Sequence, residues 1–273
     1  MTHLPVKKIY IDSRYRTPDS VSDSNFKIQL GRNIYLPERC VMRIDHCVIP
    51  HSWYTIEYDM NDKLYFAIET STGTGCYTIT IPSTNYVGST LASTLQTLFN
   101  AILPGKLSVN YTVAINAIAI TTTFGVAGFL YVLTDAQLAT KWGGRWSGPE
   151  YDPNNHNSCN DIVTNRTASK TDLTWYSGCI NVQGFRAVYL SSSNLTNYNT
   201  LGSRGENDII KKISTTSDFG YLIIEQGLSH DDYLSCERTT LNTIDFRICD
   251  VRGNEIPFHD SPVSFTIYFD INQ

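Results

Sequence analysis

The sequence predicts an all-β fold with one covering helix. Three observations carry this. Nearly every periodic stretch alternates apolar and polar residues with a period of two. Those stretches are short and bounded by Gly, Pro, Asn, Asp and Ser, the residues that turn a chain. Only one long stretch keeps helical spacing. About a dozen short strands, with no β-helix-β alternation, favour a sandwich or barrel over a parallel sheet.

The first strand is read over 6–12 and the second over 24–30, where Phe26, Ile28 and Leu30 share a face. A third runs over 41–49 and stops at Pro50. Asn61-Asp62 turns the chain into a strand at 63–69, and Thr72-Gly73-Thr74-Gly75 turns it into another at 76–81. Between 89 and 102 the period changes, and Leu91, Leu95, Leu98, Phe99 and Ile102 fall on one helical face. Ser89 or Thr90 offers a cap and Pro104-Gly105 a stop. Such a helix covers an open face or end of a sheet. Strands resume at 107–113, 117–123 and 128–133, followed by a short helix at 134–138. Residues 143–170 are rich in Gly, Pro, Asn, Ser and Asp without sustained period, which predicts a flexible loop. The last third returns to β at 179–182, 187–191, 209–213, 221–225, 244–249 and 263–269, with a turn at 250–254.

Composition narrows the function. Of the 273 residues only 17% are charged and 12% are aromatic, against roughly 25% charge in an ordinary globular domain. A net charge of -5 argues against a dedicated nucleic-acid binder, although the first 50 residues hold 8 basic and 5 acidic side chains. No run approaches the roughly 18 apolar residues of a membrane helix, and the first residues lead into a strand pattern with no visible secretory signal. Seven scattered cysteines, an odd number, read as free thiols in a reducing compartment rather than as a disulfide framework.

Catalytic signatures are missing: there is no dinucleotide fingerprint, phosphate loop or Gly-x-Ser-x-Gly elbow. His46 and Cys47 are strand neighbours and point to opposite faces, so they do not share a metal readily. His230-Asp231-Asp232 reads as a solvated loop. His156 and Cys159, near Asp152 and Asp161, form the most chemistry-like cluster, yet nothing there lowers the cysteine pKa or orients a base. No catalytic, cofactor or metal residue is therefore expected. Arg14 and Arg16 flank Tyr15 at a strand end and offer planar, multi-donor contacts. They suit an interface, or a solvated strand end paired with Asp12 or Asp19. Trp53, Tyr54, Trp142, Trp146 and Tyr151 are loop aromatics, which either line an interface or plug the ends of a barrel.

The order of several motifs adds a resemblance. The opening Ile9-Tyr10-Ile11-Asp12-Ser13-Arg14-Tyr15-Arg16 and Ser24-Asn25-Phe26-Lys27-Ile28-Gln29-Leu30 lead to Val48-Ile49-Pro50-His51-Ser52-Trp53-Tyr54 and Asn61-Asp62-Lys63-Leu64-Tyr65-Phe66. The helix after Ile81-Pro82-Ser83-Thr84-Asn85-Tyr86 comes next, followed by Asn207-Asp208-Ile209-Ile210-Lys211-Lys212-Ile213. The run Ile244-Asp245-Phe246-Arg247-Ile248-Cys249-Asp250 and the Ser264-Phe265-Thr266 strand close the chain. Together these resemble penton (minor capsid) proteins of the polinton, adintovirus and virophage-like lineage of double-stranded DNA viruses, over nearly the whole chain except 143–170.

The resemblance implies a single jelly-roll β-sandwich with an inserted β region, placed around 60–135, and the covering helix. It implies a structural subunit, not an enzyme, forming homopentamers at icosahedral fivefold vertices of the virion. The neighbours there are major capsid proteins of the double jelly-roll type. Synthesis in the host cytoplasm follows, with the nucleus as another place of assembly. No cofactor, no membrane insertion and no sequence-specific nucleic acid is implied, and at most a weak genome contact. The alternative of another class is a carbohydrate- or receptor-binding sandwich, such as a fibre head or lectin, with an aromatic site around Trp142, Trp146 and Trp175. A hydrolase or nuclease would need a convergent polar cluster that the sequence does not display.

Overall fold

The structure is a computed structural model that describes residues 4, 6–122, 128–153, 174–182, 184–195, 200–226 and 233–271. The chain divides into two compact units, Met1–Trp53 with Phe185–Gln273, and Tyr54–Gly184 between them in sequence. Strands β1 (Lys8–Asp12), β2 (Asn25–Tyr35) and β3 (Cys40–Pro50) precede the second unit. That unit holds β4 (Lys63–Thr70), β5 (Gly73–Thr80), helix α1 (Gly88–Ile102), β6 (Leu107–Thr112), β7 (Ala117–Thr122), β8 (Gly128–Val132), helix α2 (Asp135–Ala139) and β9 (Thr174–Tyr176). The first unit resumes with β10 (Ala187–Ser191), β11 (Ile209–Ser214), β12 (Leu222–Glu225), β13 (Leu234–Ser235), β14 (Thr240–Cys249) and β15 (Ser264–Ile271).

In the first unit one sheet runs β1-β15-β3-β12, with β13 also on β3, and the other runs β11-β10-β14-β2. Every pairing is antiparallel. With β13 set aside, the eight strands pair first-eighth-third-sixth and second-seventh-fourth-fifth in chain order. That is the jelly-roll order of a two-sheet sandwich. Alternation turns Ile11, Ile44, Phe265 and Ile267 inward from one sheet, against Phe26, Val188, Ile244 and Phe246 from the other. Phe246 sits at the centre, 5.4 Å from the Phe26 ring and edge-on to Phe265 at 4.9 Å.

β3 does not keep one phase. Met42 and Ile44 point inward, then Cys47 and Ile49 do. The register with β15 slips between Ser264 and Thr266, so that His46 and Cys47 together oppose Phe265. His46 takes the extra place, with a left-handed φ of 47°.

The second unit has its own core around two three-stranded sheets, β5-β4-β8 and β6-β7-β9. Helix α1 buries Leu91, Ala92, Leu95 and Phe99, and Phe99 meets Phe66 edge-on at 5.0 Å. Gln96 completes the covering role. Its amide donates to the Leu107 carbonyl at 2.9 Å and accepts from the Val109 N–H at 2.7 Å, satisfying the free edge of β6. The opposite face of β4 carries Tyr65 and Ala67, which pack with Leu133, Leu138 and Trp142. Cover on both faces explains why β4 reads as a nearly unbroken apolar run.

Local differences from the sequence reading have physical causes. The helix begins at Gly88, and the Thr90 hydroxyl bonds the backbone of Val87 rather than capping from outside. The β4–β5 turn is Ser71-Thr72, and Gly73 already pairs with Thr70, so the glycines lie within β5. Residues 179–182 make no strand; Ile180 is buried and its N–H donates to the Asn116 carbonyl at 2.8 Å. Strands β9 and β13 are too short to carry a period that the sequence reveals. The second unit, at Tyr54–Gly184, is wider than 60–135 because it also takes in the aromatic segment that covers β4. Of the expected loop at 143–170, residues 154–170 lie outside the described residues.

The entry and exit of this unit are tied together. The Thr55 hydroxyl donates to the Val182 carbonyl at 2.8 Å, and the Thr55 N–H to Asn85 Oδ1 at 3.0 Å. The Asn61 side chain accepts the Glu57 N–H at 2.7 Å and donates to the Thr55 carbonyl at 3.1 Å. Within this network burial pushes the Glu57 carboxyl up to about 7, against a smaller downward pull from the Tyr54 N–H.

Two tests follow from the packing. Phe265→Ala in the sandwich core costs about 3–5 kcal/mol by denaturant unfolding; a change under about 0.5 kcal/mol would place Phe265 outside the core. A raised carboxyl pKa means that the folded form holds a proton that the unfolded form has lost. Stability of the second unit therefore falls between pH 4.5, the ordinary value, and about 7. The loss is at most roughly 3 kcal/mol and levels off above that window. Melting curves of Glu57→Gln across the same range are flatter than those of the parent.

Candidate functional site

The outer face of the sheet β1-β15-β3-β12 holds the N-terminal residues singled out in the sequence. Alternation along β1 turns Ile9 and Ile11 toward the core and Lys8 and Tyr10 outward. Tyr10 is 76% exposed. Lys8 stands opposite Tyr268, and Tyr268 opposite Arg43. The Arg43 guanidinium lies 5.0 Å from the Tyr268 ring and 5.6 Å from that of Tyr233, with Lys8 Nζ 5.7 Å from Tyr268. Cations on ring faces give this row its order.

β1 ends in a 3-10 turn, Ser13–Tyr15, locked by paired bonds. The Ser13 N–H donates to the Val263 carbonyl and the Val263 N–H to Ser13 Oγ, both at 3.0 Å. Asp12 caps the turn by accepting the Arg14 N–H at 3.0 Å. The Arg14 guanidinium returns to both carboxylate oxygens, at 2.9 Å from Nε and 2.6 Å from a terminal nitrogen. That hydrogen bonding holds the Asp12 carboxyl below its ordinary range. Arg16 pairs with Asp23, whereas Asp19 pairs with Lys27 at 2.8 Å. Tyr15 projects from this rigid turn at 79% exposure. Beside it opens a concavity of about 400 Å³ lined by Tyr10, Asp12, Tyr15, His46, Ser264 and Thr266 among others. His46 reaches it because the bulge in β3 adds an outward side chain.

The far edge of the same sheet is β12. Ile223 faces the core, while Leu222 and Ile224 face out at 55% and 56% exposure, next to Tyr221. Among the described residues the result is a short, exposed apolar edge.

The other expected interface residues are placed differently. Trp53 is fully buried, 4.4 Å from His51 and packed with Phe185 and Phe258. Tyr54 is half-buried at the start of the second unit. Trp142 is buried under the Arg145 guanidinium, which lies 3.9 Å from its ring. Trp146 and Tyr151 are half-buried on Tyr65, at 5.9 and 5.7 Å. These aromatics cover their own sheets, because β4 needs cover on its second face. Trp175 is buried as well, so Trp142, Trp146 and Trp175 do not make a shallow sugar-binding site.

Among the described residues no group of three or more His, Cys, Asp or Glu could hold a metal ion. The His156–Cys159 cluster and His230-Asp231-Asp232 lie outside those residues. Sequence reasoning missed the β12 row and the Lys8–Tyr268–Arg43 row. Both alternate visibly in sequence, but which strands become edges or neighbours is a property of the topology.

No protein-family model and no curated protein sequence matches the chain. The structure is similar to the crystal structure of the selenomethionine-labelled mavirus penton protein, at 12% identity over 97% of this chain and 99% of that one, with a TM-score of 0.48. The jelly-roll assignment rests on the strand order described above.

Proposed function

We propose that the protein is a penton-type capsid subunit that closes into a homopentameric ring at an icosahedral vertex, among double jelly-roll major capsid proteins. The observation that carries this reading is a pair of unlike surfaces on the jelly-roll sandwich. One is the apolar edge at Leu222 and Ile224; the other is the concavity beside Tyr10 and Tyr15 near the opposite edge. A cyclic ring needs two such unlike patches, because each copy offers one and receives the other. The surface suits this use: with 17% charged residues, few long charged side chains must be desolvated. The ordered motifs that resemble penton proteins support the same reading. The role is structural, and the shell of the virion is the place where it acts. Arg14, Tyr15 and Arg16 are proposed as rim contacts, with Arg14 held ready by Asp12.

Light scattering after size exclusion, over a range of concentration, tests the reading. Five copies of a 30.7 kDa chain give a ring of about 150 kDa. A fixed trimer would favour a fibre or receptor-binding head. A chain that stays monomeric even when mixed with the major capsid protein would overturn the proposal. Ile224→Lys and Arg14→Glu each weaken the ring while leaving the melting temperature of the isolated subunit unchanged. Equal loss of both would make these residues structural instead.

A further inference from the structure

We propose that Cys40 and Cys236 are a latent cross-strand disulfide, a site of reversible oxidation built into the sandwich. This does not rest on the capsid reading. β13 pairs with β3 through Leu234 with Met42 and Ser235 with Val41. The next step of that register sets Cys236 opposite Cys40, and the Cys236 N–H donates to the Cys40 carbonyl at 3.0 Å. Directly opposed residues of an antiparallel pair have Cα atoms about 4.5–5.5 Å apart, inside the span that a disulfide bridges. The sulfurs already touch, with Cys236 Sγ donating to Cys40 Sγ at 3.7 Å. Rotation about the side-chain bonds is enough to close them to about 2.0 Å.

The two sulfurs are not equivalent. Cys40 accepts the hydrogen bond, which favours its thiolate, whereas the same bond and burial disfavour the thiolate of Cys236. Cys40 is therefore the attacking thiol. Burial first, with nearby carboxylates adding to it, pushes the thiols of Cys47 and Cys249 up, to about 12 and about 11, which disfavours their thiolates. Both members of the pair are closed to solvent, at 0% and 1% exposure. Access comes through opening of β13, which has two residues and lies at the margin of its sheet.

The oxidant is a low-molecular-weight disulfide such as oxidised glutathione. The Cys40 thiolate attacks one of its sulfurs, forming a mixed disulfide and expelling one glutathione thiolate. The Cys236 thiolate then attacks Cys40 Sγ and expels the second. Two protein thiols lose two electrons, one small disulfide becomes two thiols, and the two protein protons end on the glutathiones. The new bond encloses the whole of the second unit and fastens the start of β3 to the segment after β13.

The test is peptide mapping of the full chain after treatment with oxidised glutathione, quenched by alkylation. The expected product joins the tryptic peptide 40–43 to the peptide 213–238, with two of the seven thiols lost and two hydrogens missing from the mass. The oxidised chain melts higher, and a dithiol reductant reverses the gain. Cys40→Ser and Cys236→Ser each abolish the linked peptide; since the mapping is done on the parent chain, the result does not depend on how well either variant folds. A stable glutathione adduct on Cys40 with no link to Cys236 would overturn the proposal. So would a link from Cys40 to another cysteine, or no reaction at Cys40 while the exposed Cys179 is modified.

Discussion

The inward row of β3 is the constraint on which the sandwich depends. This strand carries β15 along most of its length, β12 at one end and β13 at the other. Its buried face must stay continuous under all three. Without the bulge at His46, strict alternation would turn either Met42 and Ile44 or Cys47 and Ile49 toward water. Each buried side chain of this size contributes roughly 1.5–3 kcal/mol, so a uniform phase would cost several kcal/mol. The bulge resolves the conflict, and the same residue lines the concavity beside Tyr10 and Tyr15. Core register and outer surface are thus settled at one position.

The end of β3 also determines how a second unit can be carried. Pro50 ends the strand, and Trp53 follows as the last residue of the first unit. Phe185, the first residue to return, lies 6.0 Å from the Trp53 ring. Where the chain leaves the sandwich and where it comes back are therefore held by one aromatic contact within its core. The second unit repeats the device with polar groups, Thr55 meeting Val182. Each unit closes its own ends, so the long excursion does not leave the sandwich open.

Much of this was legible in the sequence. Alternation located most strands, since half-buried antiparallel strands write their orientation into every second residue, as β1 and β14 do. The helix was legible for the same reason at another period. Short pairings such as β9 and β13 leave no periodic trace. The aromatic residues stayed open between two readings for a physical reason: a tryptophan in a loop is the same letter whether it docks a partner or roofs its own sheet. Trp142 does the latter, bent over β4 by a run of left-handed residues from Lys141 to Gly144. The Arg14 pairing with Asp12 was foreseen as one of two options because it is local. Nothing in sequence brings Cys40 and Cys236 together, since only the β3–β13 register does.

The edges of the sheets differ in how they are protected. A free strand edge invites pairing with another chain, and proteins blunt it with charge, cover or irregularity. β2 presents Lys27, Gln29 and Arg32, and β11 presents Lys212. β6 is closed by Gln96 from the covering helix. Among the described residues β12 has none of these over its exposed positions, where Leu222 and Ile224 stand beside Tyr221. β12 thus differs from β2, β11 and β6, each of which carries charge or cover. An apolar edge of this kind is a place where another chain gains by packing. In the ring proposed above, that packing is what the neighbouring subunit supplies to β12.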